Sequence, residues 1–139
     1  MEQEILKKAG EIVEKNTGAD SYCTLALIDA DGYPTASTIS ASKADGINWI
    51  TFCTGFGSPK TNRIDQHKQA SVCFNAPDYN ITLVGDIEVV TDPEVKKEMW
   101  YSGLSNHFNG PEDPNYCVLR FTTKRYNLLV DWADLRGSL

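Results

Sequence analysis

The chain has 139 residues, 41% of them apolar and 23% charged, with a formal net charge of −6 at pH 7. That length can bury one core without disulfide support. The acidic balance, with no basic run beyond pairs such as Lys96-Lys97, argues against a nucleic-acid surface, and no apolar stretch approaches the ~20 residues of a membrane span. Residues 3–15 place Ile5, Leu6, Ala9, Ile12 and Val13 three and four apart, which predicts an amphipathic helix stopped near Gly18. From Tyr22 the period changes to two. "YCTLALID" and "YPTASTIS" read as strands joined by a turn ending in Asp31-Gly32, and Asp45-Gly46 turns the chain into "INWITFCT". These three strands are expected to form an antiparallel meander.

A short polar helix is expected over Pro59–Gln66. "ASVCFNA" and "NITLVGDIEVVTD" read as two further strands, and Gly85 within the second predicts a bulge or bend. Asp92 and Pro93 open another helix as N-cap and first helical residue. After the polar loop "SNHFNGPEDPN", the segments "YCVLRFTT" and "YNLLVDWA" read as two closing strands. With no repeat and no linker, residues 1–139 are expected to be one domain. Six or seven antiparallel strands with peripheral helices indicate a barrel or a sandwich, and a barrel better solves the problem of open edges.

The start of the chain, "MEQEILKKAGEIVEKN", lacks the apolar centre and cleavage site of a signal peptide, so a cytoplasmic location is expected. The four cysteines, Cys23, Cys53, Cys73 and Cys117, contain no C-x-x-C pair and sit in apolar or strand-like runs. They read as small buried hydrophobes in a reducing compartment. Neither His67 nor His107 has a second ligand at a metal-like spacing, so no metal site is expected.

The stretch "CTGFGSPKTNRI" looks at first like a phosphate loop, but it lacks the Gly-Lys junction of the P-loop and the third glycine of the dinucleotide fingerprint. What remains is a strand running into a helix, with Ser58 as N-cap, Pro59 at the first helical position and Lys60 in the first turn. A lysine there opposes the helix dipole. A bound phosphate would resolve the mismatch by taking backbone amides, the Ser58 hydroxyl and the Lys60 ammonium together. A solvated lysine beside an ordinary cap is the alternative, and the segment alone leaves both open.

The order of pieces nonetheless resembles one family. "DGYPTAST", "WITFCT" running into "SPKTNRI", "ASVCFNAPDYNITLVGDIEVVTD", "PEVKKEMW", "FNGPEDPNYCVLRF" and "YNLLVDW" follow one another as in the pyridoxamine 5′-phosphate oxidase-like proteins, especially their general stress protein branch. The resemblance implies a mainly β fold with peripheral helices, the antiparallel split β-barrel. It also implies a homodimer with flavin mononucleotide (FMN) at the subunit interface. Carried onto matching positions, Ser58 and Lys60 would bind the phosphate. Ser37, Thr38 and Ile39 on the second strand, with Phe52, Cys53 and Thr54 on the third, would flank the ribityl chain and ring, and Trp100 and Trp132 would come from the partner. For both tryptophans a core role is an equal reading. Family members commonly carry an arginine where Ser37 stands, and Arg63, one turn beyond Lys60, is a candidate replacement.

The implied activity is a flavin-dependent oxidoreductase acting on a small molecule, in which the ring carries the chemistry. The pyridoxamine phosphate oxidation itself is not expected, because Arg120, Lys124, Arg125 and Arg136 form no R-x-H pattern for a second phosphate. The alternatives are a non-catalytic flavin-binding or stress-response module, and a barrel holding heme or a deazaflavin.

Overall fold

The computed structural model describes residues 1–139 and is built on one antiparallel sheet. Helix α1 (Glu2–Lys15) leads into β1 (Cys23–Ile28), β2 (Pro34–Ile39), β3 (Ala41–Asp45) and β4 (Trp49–Gly55). Helix α2 (Pro59–Gln66), β5 (Gln69–Ala76), β6 (Tyr79–Val90) and α3 (Pro93–Met99) follow. A 3₁₀ turn (Ser102–Asn106), the long β7 (Tyr116–Val130) and β8 (Ala133–Ser138) complete the chain. No helix is long and apolar enough to cross a membrane.

The β1–β2 hairpin forms where Asp31-Gly32 places it. The Asp29 carboxylate accepts from the Asp31 and Tyr33 amides and from the Thr35 hydroxyl, while Gly32 takes the left-handed φ of 83° that the turn requires. The expected meander does not form. Neighbouring strands run β2-β1-β5-β6-β7-β4-β3, so β4 pairs with β3 and β7 and never with β2. What closes the sheet is the chain itself: β2 and β3 lie at opposite ends of that order yet are separated only by Ser40. A single bent strand thus serves both edges, and the sheet curls into a barrel that is split where β2 and β3 part.

Two strands escape the sequence pattern. β3, "ASKAD", is short and rich in residues of low strand propensity, and it forms because β4 offers it a free edge. β8 pairs with the far half of β7, and the two expected closing strands are one continuous β7 through Lys124-Arg125. Gly85 behaves as its position predicts. The β6–β7 register shifts between Val84 and Gly85, and a Cβ at Gly85 would overlap the Thr122 carbonyl oxygen.

Alternation along the strands sends Leu25, Leu27, Ile50, Phe52, Val72, Phe74, Ile81, Leu83, Leu119 and Phe121 into the barrel. Helix α1 covers one opening with Ala9 and Val13, and α2 contributes Ile64. A smaller second core lies outside the barrel, where α3 and the 3₁₀ turn cover Cys53, Tyr116 and Val118 with Met99, Leu104 and Trp100.

Candidate functional site

The expected residues other than the two tryptophans lie on β2, on β4 and at the start of α2. Pairing between β3 and β4 ends at Ala41 opposite Phe52. Beyond it, β2 pairs only with β1 and β4 only with β7, so Ser37–Ile39 and Cys53–Gly55 each keep one edge without a partner strand. Unpaired strand edges present rows of backbone donors and acceptors. β4 then runs through Phe56 and Gly57 into α2, which sets the helix terminus at the same end of the split.

At that terminus Ser58 is the N-cap with extended backbone (φ −69°, ψ 166°), as its position predicts, but its hydroxyl caps nothing. Its Oγ is the one buried side-chain oxygen or nitrogen in the chain without a hydrogen-bond partner. An orphaned buried hydroxyl costs about 1–3 kcal/mol unless something supplies the bond. Pro59 has no N–H to give, and the Lys60 and Thr61 amides stand at helix positions that lack intrahelical acceptors. The first turn of α2 carries no acidic residue, whereas α1 and α3 both do. Lys60 is half-buried and takes part in neither of the chain's two ion pairs, Lys8–Asp131 and Lys124–Asp86. Positive dipole, free amides, hydroxyl and ammonium therefore share one helical turn that carries no acid of its own, with Asp29 and Asp31 across the cleft that Pro59 borders.

The remaining expected residues fall into distinct environments. Ser37 and Ile39 face the barrel side of β2, where Ile39 packs on the core, while Thr38 points outward and is exposed. The Phe52 side chain is fully buried in the barrel, so only its backbone can line the split, and Thr54 is half-buried beyond it. Cys53 faces the second core. Its thiol donates to the Met99 carbonyl at 3.4 Å and lies 3.5 Å from the Tyr116 hydroxyl. Burial pushes the Cys53 thiol up, with hydrogen bonds from Tyr116 and Ser42 opposing the rise, so it stays protonated near neutrality. Burial likewise raises Cys23 to about 12 and Cys117 to about 11. Cys23 and Cys117 behave as buried hydrophobes, as their apolar surroundings predict, whereas Cys53 and Cys73 are half-buried and hydrogen-bonded.

The two tryptophans separate. Trp100 caps the end of α3, half-buried, with its ring edge-on to Tyr116 at 5.3 Å. Trp132 is 77% exposed, which removes the core reading for this residue. It sits in the β7–β8 turn with a φ of 64°, next to Asp131 at 51°. Such a conformation costs a bulky side chain on the order of 1 kcal/mol and needs a reason. Arg63 lines a cleft of about 390 Å³ with Asp29 and Asp31, and neither Ser58 nor Lys60 borders that cleft. Those carboxylates lie beside the Arg63 charge, and Pro59 at the start of α2 borders the same cleft.

Sequence reasoning gave no role to Tyr116 or Lys96. Tyr116 is fully buried and donates to the Lys96 carbonyl at 2.8 Å. Lys96 is only 8% exposed, and its ammonium donates to the Asp113 carbonyl and lies 5.3 Å from the Tyr116 ring centre. Together they fasten α3 and the 107–115 loop onto β4 and β7. A lysine in a polar helix and a tyrosine after a loop carry no local signal of that meeting.

A family model described as pyridoxamine 5′-phosphate oxidase matches residues 10–129. The chain belongs to that family. Solved structures agree on the fold, the split β-barrel. A Clostridium acetobutylicum protein related to general stress protein 26 superposes with a TM-score of 0.85 at 21% identity, covering 100% of this chain and 97% of that one. A pyridoxamine 5′-phosphate oxidase-related, FMN-binding protein from Nostoc punctiforme gives 0.67 at 18%, covering 91% and 80%. A heme-binding protein from Mycobacterium smegmatis gives 0.76 at 16%, covering 96% of this chain and 57% of that one. No curated protein matches the chain.

Proposed function

We propose that the protein binds FMN in the split between β2 and β4 and acts as a flavin-dependent oxidoreductase on a small molecule. The observation that carries this reading is the orphaned, buried Ser58 hydroxyl at a helix terminus whose first turn holds a free lysine and no acid. Those groups fit a phosphate monoester. Ser58, the α2 amides and Lys60 would hold the phosphate, and only one of the Ser37 and Thr38 hydroxyls, which point to opposite faces of β2, would join them. The open edges at Ser37–Ile39 and Cys53–Thr54 would meet the polar rim of the ring and the ribityl hydroxyls through backbone groups. The bound flavin supplies the hydride and electron chemistry.

The chain's own residues bind, orient and exclude water. The Phe52 side chain fills the barrel behind the split, and Tyr116 and Met99 fix Cys53 beside it. Burial raises the Cys53 thiol and so disfavours its thiolate, the nucleophilic form. The exposed, strained Trp132 and the half-buried Trp100 are proposed to cover the flavin of a second copy in a homodimer, a role consistent with aromatics at interfaces. Free thiols fit a reducing, cytoplasmic setting.

Heme, the ligand of one structural neighbour, is a poorer fit. Its iron needs an axial ligand such as histidine, and His107 stands exposed beside Phe108 while His67 ends α2. The test is the cofactor that copurifies, identified by absorbance and mass spectrometry, followed by addition of excess FMN to stripped protein. Flavin absorbance and its bleaching by NADH or NADPH are expected. Failure to take up FMN overturns the reading; bound flavin inert to every donor leaves a carrier and removes the enzyme.

A further inference from the structure

The register of β6, β7 and β8 places a cationic cleft on the outer face of the sheet. Thr82 lies opposite Asn127 and Asn127 opposite Arg136; Val84 lies opposite Arg125 and Arg125 opposite Ser138. Their neighbours Leu83 and Leu128 are buried in the barrel, so these six side chains share the solvent face. They line a cleft of about 480 Å³, larger than the one beside α2 and within the range of small-molecule sites.

Arg125 and Arg136 are diagonal neighbours on adjacent strands, a spacing of about 7–8 Å between backbones. Neither forms an ion pair. The acids within reach do not neutralise them: Asp86 is taken by Lys124, and Asp134, which borders the adjoining cleft with Arg136, stays beyond pairing distance. In a chain of net charge −6, two unneutralised guanidinium groups facing one cleft form a local positive spot. Each offers a planar fork of donors suited to an oxyanion, and the Ser138 hydroxyl and Asn127 amide add neutral donors.

We propose that this cleft is a second anion site, separate from the α2 terminus, that takes a phosphate group, free or carried on a small molecule. An anion between the guanidinium groups relieves their mutual repulsion and satisfies both forks. The cleft has room beyond one phosphate for the remainder of a sugar-sized ligand. The binding is open to solvent and weakens as ionic strength rises. It stands or falls independently of the flavin.

The experiment follows the arginine Nε–H signals by NMR in the full-length, FMN-saturated protein at constant ionic strength. The probes are inorganic phosphate, ribose 5-phosphate and ribose. Saturable shifts of Arg125 and Arg136 are expected with both phosphates and none with ribose; tighter binding of ribose 5-phosphate assigns the carried phosphate, and equal binding the free ion. Arg125→Gln/Arg136→Gln should weaken binding at least tenfold while leaving the thermal midpoint unchanged. Lys60→Ala should leave it intact. Absence of saturable shifts, or equal affinity in the double variant, overturns the proposal. So does binding lost only in Lys60→Ala, which places the phosphate at α2. If sedimentation shows the double variant losing an oligomer that phosphate does not affect, the guanidinium groups engage a carboxylate of a second copy and the proposal falls.

Discussion

The two edges of β4 make opposite use of the same strand. Along β7 its register runs unbroken from Trp49 opposite Thr122 to Gly55 opposite Tyr116. Along the other edge, pairing with β3 stops at Phe52, and the last residues have no partner strand. The closed edge anchors β4 in the barrel, while the open edge leaves backbone groups unpaired beside the α2 terminus. Both edges draw on one rigid element, so groups at the split are held by the core without being part of it. Binding groups carried on rigid elements lose less entropy when a ligand arrives.

That contrast can be broken from the closed side first. Phe74→Ala removes a nearly fully buried ring from the barrel and should cost about 3–5 kcal/mol, read from urea unfolding. A cost below about 1 kcal/mol would mean the barrel interior is not the main core. Gly85→Ala should destabilise by about 1–3 kcal/mol, because a Cβ must displace the Thr122 carbonyl at the bulge. Trp132→Gly should have the opposite sign. It relieves a left-handed backbone and should raise stability by about 0.5–1 kcal/mol, while weakening flavin binding in the dimer. A loss of stability there would show that the exposed ring is structural.

Smaller effects sharpen the picture. With thiols raised to about 12 and 11, Cys23 and Cys117 should resist a thiol reagent at pH 8 in the native protein and react only after unfolding. The smallest effect is the pH response of the β1–β2 turn. The Thr35 hydroxyl and the Tyr33 and Asp31 amides hold the Asp29 carboxyl below its ordinary range. Its contribution is therefore present above about pH 4 and lost as pH falls through the lowered folded-state value. Amide exchange at Tyr33 and Thr35 should accelerate over that acid range and not between pH 5 and 8.

Local signals made much of this legible. The bounds of α2, the Asp92 cap of α3, the β1–β2 hairpin and the Gly85 bulge all follow from neighbours in sequence. What stayed hidden is non-local. β3 has a polar composition and exists because a neighbouring edge needs a partner. Trp132 reads as a strand residue and becomes a turn because β8 folds back on β7. Ser58 was recognisable as an N-cap, yet the useful fact, that its hydroxyl is buried and caps nothing, depends on how β4 delivers the chain into α2. The open edges of β2 and β4 at the split likewise arise from strand order, which no short motif encodes.

The central claim is that the α2 terminus grips a phosphate while the open strand edges hold the rest of the flavin. Parallel titrations of FMN and riboflavin into wild-type protein and the Ser58→Ala and Lys60→Ala variants test it most directly. Loss of a charge-assisted contact is worth about 1.5–3 kcal/mol, so Lys60→Ala should weaken FMN binding tenfold or more, with Ser58→Ala showing a smaller loss. Riboflavin, which has no phosphate, should bind wild type and both variants alike. Equal affinity of the wild-type protein for FMN and riboflavin, or FMN binding unchanged in Lys60→Ala, would contradict the account.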